Sequence, residues 1–526
     1  MQNTATQNRF NLIDEPWIPV VGKGLASLGD IFSDPEIPAL GGNPVQKIAL
    51  TKLLLAIGQA ACTPESTEEL EQLDSDTFRT ACLSYLKEKR DRFWLFGEKP
   101  FLQMPAVRRL IEERKQLELQ SAHPAPLRKK EASKKLAEEN ALPRPIGAGF
   151  YPDLPAENNS ILSQFQLAET TDPAGMALFV VTLMNFAFGG KRIEKNLAPL
   201  SHGFMGKSVS AKPGPSIGNY SGYLHTFLTG PTLKDILLLN LLSMEQIRAN
   251  PYWKSGLGTP PWEQMPEGEA CATAINLKES YMATLLSLSR FVLLDGEGIY
   301  YVEGLQYPSH KEGWREPGMT INDQEKQLRV IWVDPEKRPW RELPSMLAFL
   351  ESNANKGFEC QFIKYGLTRA KQSYKQIGIW SGGLRVSANS GDQSVKQDND
   401  FVESLFLFDS DDLDELWYER FKQEMASLDQ ISKRVYSATK SYFIKQNMDG
   451  SALASSASGL FWQLCERHFQ ELVDACGDPE RLPANRKVFA SVALQSYDAF
   501  CPKETARQID VWAECRPNFS KHFINN

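Results

Sequence analysis

The sequence predicts an α+β protein: a large, irregular, mixed α/β N-terminal domain over residues 1–400, followed by an antiparallel four-helix bundle over 401–526. Three observations carry this. From about Asp411 onward, apolar residues recur at helical spacing in Leu413–Leu428, Ile431–Gln446, Ala452–Cys476 and Arg486–Phe500, with short Gly-, Asn-, Asp- and Pro-bearing connections, which is the pattern of an antiparallel bundle. Earlier, between Asn250 and Trp340, short β-rich pieces such as Gly298–Val302 and Leu328–Val333 alternate with Trp, Pro and Gly, the mark of irregular α+β structure. Finally, 526 residues exceed what one hydrophobic core serves, while 42% hydrophobic and 23% charged residues exclude a disordered or fibrous chain.

Taken in order, Phe10–Val21 (FNLIDEPWIPVV) mixes β-formers with two prolines and predicts short edge strands and turns. Helical spacing then runs through Val45–Cys62, with Asn43 as cap and Pro44 in the first turn, and Thr63-Pro64 ends it. A second helix over Leu73–Arg92 leads into the aromatic turn Phe93–Gln103 (FWLFGEKPFLQ). Between Arg108 and Lys135, nine basic residues face four glutamates, the strongest basic run in the chain. It precedes an aperiodic Pro/Gly/Asn-rich loop, Leu142–Asn159. Pro173–Phe188 is a buried helix, Gly189–Gly230 a glycine-rich loop system, and Pro231–Ser243 a helix again. Ile377–Val386 and the polar Ser387–Asn399 form a strand, a turn and a return.

Charge and chemistry narrow the function. With 58 basic and 65 acidic side chains the net charge is -7, so a nucleic-acid site must be a local patch on an acidic protein. The eight cysteines form no C-x-x-C pair and read as thiols of a reducing compartment. Met1–Arg9 lacks the apolar core of a signal peptide, and the longest apolar stretch, Ala177–Phe188, is too short to span a bilayer; the expectation is a cytoplasmic protein without a membrane segment. Six scattered histidines show no metal-ligand spacing, so neither a metal nor another cofactor is expected. Gly206-Lys207-Ser208 fails as a phosphate loop because Ser201 stands where the leading glycine is required. No G-x-S-x-G elbow is present, and Asp409–Glu415 (DSDDLDE) reads as acidic residues complementing the first dipole of the bundle. No catalytic residue is assigned; the chain is not expected to be an enzyme.

FNLIDEPWIPV (Phe10–Val20) resembles the N-terminal signature of the large subunit of the type I-E CRISPR Cascade complex, the CasA family. Further similar segments follow in the same order: KLLLAIGQAAC (Lys52–Cys62), FWLFGEKPFLQ (Phe93–Gln103), DLPAENN (Asp153–Asn159), a glycine-bearing loop before LKDILLLNLL (Leu233–Leu242), WSGGLRV (Trp380–Val386) and CERHFQELV (Cys465–Val473). The resemblance implies a mixed α/β domain followed by a four-helix bundle. It also implies a non-catalytic subunit of an RNA-guided antiviral complex. Such a subunit sits near the guide-RNA handle, reads the protospacer-adjacent motif (PAM) of double-stranded target DNA from the minor groove, helps open the duplex into an R-loop and recruits the effector helicase-nuclease. The implied partners are the CRISPR guide RNA, double-stranded DNA, the other Cascade subunits and that helicase-nuclease. An interaction scaffold of another complex, without DNA contact, is the alternative reading.

The resemblance also assigns residues. A glycine loop at Lys212–Gly222 places Lys212 on phosphate and Ser216, Gly218 and Asn219 at base edges or sugars, the glycines allowing close approach. A wedge hairpin follows the Ser381-Gly382-Gly383 turn. Without a gap its Asn-Gln pair falls on Ser387-Ala388; with a five-residue insertion it falls on Asp392-Gln393, which favours Gln393 as the wedge, with Asn389 as alternative and Asp392 as a departure from the pattern. Asn158 and Asn159 are expected from the resemblance to meet the guide handle; the basic run just before them, Arg128, Lys129, Lys130, Lys134 and Lys135, is expected from its charge to meet DNA or RNA phosphates, a solvated face being the alternative. The family's groove-facing lysine has no counterpart near Glu297. Lys433, Arg434 and Lys440, at near-helical spacing, read as a solvated helix face, with contact to the displaced or target strand as the alternative.

Overall fold

The computed structural model describes residues 9–519 except 122–142, 154–171, 191–210, 220, 297, 323–327, 351–357, 390–391 and 396–399. The N-terminal motif folds as the sequence anticipates. Strands β1 (Ile18–Val20) and β2 (Gly24–Ala26) form a short antiparallel pair. The preceding residues lie along the aromatic turn: Leu12 N–H donates to Phe93 O at 2.9 Å and Leu95 N–H to Phe10 O at 2.8 Å. Two segments that carry the family resemblance are thus one structural unit.

Helix α1 (Pro44–Ala61) begins at a capping box in which Asn43 and Gln46 each accept the other's backbone N–H, with Pro44 fixing the first turn. Nearly every residue from Val45 to Gln59 is buried, and a helix apolar on all sides belongs in the middle of a protein. Its neighbour α2 (Pro173–Phe186), capped by Asp172, is equally enclosed.

The remaining strands are β3 (Arg144–Pro145), β4 (His225–Thr229), β5 (Arg290–Asp295), β6 (Gly298–Glu303), β7 (Ile321–Asn322), β8 (Arg329–Val330), β9 (Gln376–Leu384), β10 (Ser387–Asn389), β11 (Asp392–Ser394) and β12 (Phe401–Asp409). One antiparallel sheet has the order β12-β9-β4, in which Trp380 lies opposite both Leu405 and Phe227. A second has the order β3-β6-β5 and sets Arg290 opposite Glu303. The expected strand, turn and return over 377–399 is more elaborate. The return is β12, and β10–β11 is a separate hairpin carried on the connection from β9 to β12. Because β4 enters the sheet with His225 opposite Gly382, the loop before β4 and the hairpin after β9 emerge at the same end of the sheet.

The C-terminal region is helical, but its helices are divided differently from the expectation. Leu413–Leu428 and Ile431–Gln446 belong to one 31-residue helix, α3 (Glu415–Lys445), since Asp429-Gln430 contains neither Gly nor Pro to stop it. Ala452–Cys476 instead divides into α4 (Ser451–Glu466) and α5 (Phe469–Gly477), and the break turns Phe469 onto Trp340 and Phe406, with centroid distances of 4.6 and 5.6 Å. Helices α6 (Leu482–Phe500) and α7 (Ala506–Cys515) complete the described region. Residues 401–409 belong to the sheet, so the helical part begins at Glu415 rather than at 401. The hydrophobic core is continuous across this join, through Trp340, Trp462, Phe469 and Phe406.

Candidate nucleic-acid interface

The glycine loop is fastened by an isolated backbone bridge and by buried side chains. At its base Gly190 and Ala211 exchange both backbone hydrogen bonds, at 2.8 and 2.9 Å. At Lys212 the backbone is held from two sides: its N–H donates to Glu303 Oε1 at 3.1 Å, and its carbonyl accepts from Arg290 Nη2 at 2.9 Å. Both holding side chains are buried. Arg290 also donates to the carbonyls of Ser289 and Phe188 and to the Tyr301 hydroxyl, so its charge is surrounded by acceptors. Burial pushes the Glu303 carboxyl above its usual range. The Lys212 side chain itself is exposed.

Further along, Gly214 N–H donates to Ala187 O at 2.6 Å, and a side chain at this position would run into the Asn185 carbonyl. Gly218 has a φ of +71° and lies on the Tyr223 ring, where a Cβ would come within 2.6 Å of the hydroxyl; both conformation and space demand glycine. Asn219, the next residue, is exposed.

Beneath the loop is a buried ionic network. Lys52, in the middle of α1, places Nζ 2.6 Å from Glu316 Oε2 and 2.8 Å from Ser216 Oγ. Ser216 donates to Glu316 Oε1 at 2.9 Å, and Trp314 Nε1 donates to the same oxygen at 3.0 Å. His225 Nε2 lies 3.0 Å from Glu316 Oε2, while its Nδ1 donates to the Tyr223 carbonyl. Burial works to raise the Glu316 pKa, but Lys52 and His225 overcome it and hold the carboxyl at about 2. Burial lowers the Lys52 pKa against the opposing pull of Glu316.

These placements correct two expectations. Ser216 is 0% exposed and its hydroxyl is committed to Lys52 and Glu316, so it anchors the loop from within and does not face a groove. Gln393 is 3% exposed, with its carboxamide bonded to Gly189 and Gly218, so it is not poised as a wedge. Its neighbour Asp392 is exposed, and in the hairpin register Asn389 pairs with Asp392. On the glycine loop Lys212 and Asn219 are exposed, whereas Gly218 is buried against Tyr223. Arg128, Lys129, Lys130, Lys134, Lys135, Asn158 and Asn159 lie outside the described residues. The base of the Asn158–Asn159 segment is described: the Asp153 carboxylate accepts from Asn43 Nδ2 and Gln46 Nε2, both at 2.9 Å, fastening it to the start of α1, and burial raises its pKa. On α3, Lys433 and Arg434 are exposed and Lys440 is half-buried.

Sequence reasoning missed Lys52, Glu316, Arg290 and Glu303. A signal existed for Lys52: a lone charge inside ALTKLLLAIGQAA, on a helix apolar all round, requires a buried partner. Among the described residues, no group of three or more His, Cys, Asp or Glu is arranged to hold a metal ion, and no helix is long and apolar enough to cross a membrane.

The model of the CRISPR-associated protein Cse1 family matches residues 11–496. The chain belongs to the Cse1 family. Among relatives of this Cse1-family chain, the CRISPR-associated protein CasA/Cse1 of Thermus thermophilus is 27% identical over 362 residues, covering 64% of the chain and 60% of the relative. The chain thus matches three fifths of the length of that relative. The structure of Thermus thermophilus CasA (Cse1) superposes with a TM-score of 0.66 at 19% identity, over 96% of this chain and 98% of that one. Thermobifida fusca Cse1 gives 0.66 at 16% identity, over 97% of each chain. A chain of a CRISPR RNA-guided surveillance complex gives 0.64 at 14% identity, over 97% of this chain and 99% of that one. At these identities the likeness shows the fold.

Proposed function

We propose that this Cse1-family chain is a non-catalytic subunit of an RNA-guided CRISPR surveillance complex. In that complex it reads the PAM of double-stranded target DNA through the minor groove, helps open the duplex and recruits the effector helicase-nuclease. Guide RNA and the other Cascade subunits are its partners. The observation that carries this reading is the glycine loop: Lys212 and Asn219 are exposed on a loop whose backbone is held by buried Arg290 and Glu303 and whose Ser216 hydroxyl is held by buried Glu316. A loop fastened beforehand spends little conformational entropy on engaging DNA. In RNA-guided recognition the guide supplies most of the sequence discrimination, so a protein reader needs only a short, close contact with the duplex. The minor groove offers a degenerate pattern suited to that task. A net charge of -7 restricts the contact to such local positions.

The test is the salt dependence of duplex binding by the assembled complex. Each phosphate neutralised by a cation contributes about 0.9 to the slope of log affinity against log salt. Lys212→Ala is therefore expected to lower the slope by about 0.9 and to weaken binding across different sequences alike. An unchanged slope removes Lys212 from the phosphate backbone and leaves the reading without its support.

A further inference from the structure

We infer that Gln393 is a positioning residue: a brace that joins the β10–β11 hairpin to the glycine loop so that the two act on the duplex as one unit. The inference rests on the proposed role of the loop, and it assigns Gln393 a task different from that of an inserted wedge. Its backbone N–H donates to Gly189 O at 3.2 Å, its Oε1 accepts from Gly189 N–H at 3.0 Å, and its Nε2 donates to Gly218 O at 2.9 Å. Gly189 borders the base of the loop, where Gly190 meets Ala211, while Gly218 lies further along it, buried next to the exposed Asn219. One carboxamide therefore links the base of the loop to Gly218 and fixes both to a hairpin distant in sequence.

The chemistry is specific to glutamine. The task needs an acceptor and a donor on one planar group at this reach. Glutamate loses the donor to Gly218, asparagine is a methylene shorter, and alanine leaves a buried N–H and a buried carbonyl without these partners. The fit on the other side is also tight: a side chain at Gly190 would strike Asp392, so the glycine allows the hairpin to seat directly on the loop base. Inserting the Gln393 side chain beneath a base pair would require breaking both carboxamide bonds.

The experiment compares wild type, Gln393→Ala and Gln393→Glu as full-length chains and in the assembled complex. Hydrogen exchange is read without DNA at residues 187–190 and 214–219, with amides of α6 as an internal reference for global unfolding. Initial duplex binding and strand opening are then measured separately, the latter by fluorescence of a base analogue next to the PAM. The brace is expected to show as exchange about tenfold faster in both loop segments in Gln393→Ala, with α6 unchanged and Gln393→Glu intermediate. Duplex binding should weaken about tenfold, and strand opening should fall only in proportion. Unchanged exchange, or a loss confined to strand opening, overturns the brace. Lys212→Ala measured alongside separates the two ideas: if it leaves duplex binding untouched, the reading of the loop fails while the exchange data still decide the brace.

Discussion

Glu316→Ala is expected to destabilise the protein by about 3–5 kcal/mol, the cost typical of breaking a buried ion pair from one side. The substitution removes the acceptor shared by Lys52, Ser216, His225 and Trp314 and strands the Lys52 ammonium in the core. Removing both charges together, as Lys52→Met with Glu316→Leu, is expected to recover the part of the loss that comes from the stranded ammonium, while Ser216, His225 and Trp314 still lack their acceptor. Denaturant midpoints of the three variants measure this directly. The pH dependence has a defined sign. The Glu316 carboxyl titrates at about 2 in the fold against 4.5 ordinarily, so its contribution is complete above about pH 4.5 and is lost as pH falls toward 2. Over that window wild type should lose more stability than Glu316→Ala; parallel acid limbs would show that the carboxylate is not ionised in the core. Since Ser216 lies in the same network, the variant should also loosen the glycine loop and weaken duplex binding.

Trp340→Ala is expected to cost a similar amount, about 3–5 kcal/mol, and to act on the join between the sheet region and the helices. Trp340 is 1% exposed, with its ring 4.6 Å from Phe469 and 5.6 Å from Trp462. The next residue, Arg341, stacks its guanidinium 3.8 Å from the Trp462 ring centroid, and Tyr418 donates its hydroxyl to Pro344 O at 2.8 Å. Deleting the indole removes the central piece of this contact, so α4 and α5 should lose hydrogen-exchange protection before the sheet does. Trp340→Phe should be much milder, because it keeps most of the ring volume and discards a buried indole N–H that has no hydrogen-bond partner among the described residues. Equal losses for Phe and Ala would argue that the ring does not hold the helices in place.

Some of this architecture was readable in advance because its signals are local. Asn43, Pro44 and a run of apolar residues announce α1 within a few positions, and the Gly- and Ser-rich segments announce the loop and the hairpin. Features made by contacts between distant parts of the chain left no such mark. Lys52 and Glu316 are 264 residues apart, and Gln393 meets Gly218 across 175. Polar residues in a glycine-rich segment look solvent-exposed by type, and only the chain path shows that Ser216 and Gln393 point inward while Lys212 and Asn219 point out. The helix boundaries failed for a related reason. Asp429-Gln430 looks polar enough to be a turn, yet nothing in it interrupts a helix, whereas the break after Glu466 follows from the aromatic seat that Phe469 takes against Trp340, far away in sequence.

The central claim is that this chain supplies the contact to duplex DNA. It is tested most directly by measuring the affinity of the assembled surveillance complex for a short PAM-bearing duplex, with and without this subunit, at one fixed salt concentration. Omission is expected to weaken binding by about tenfold or more, a difference of at least about 1.4 kcal/mol. Equal affinity of the two complexes would contradict it.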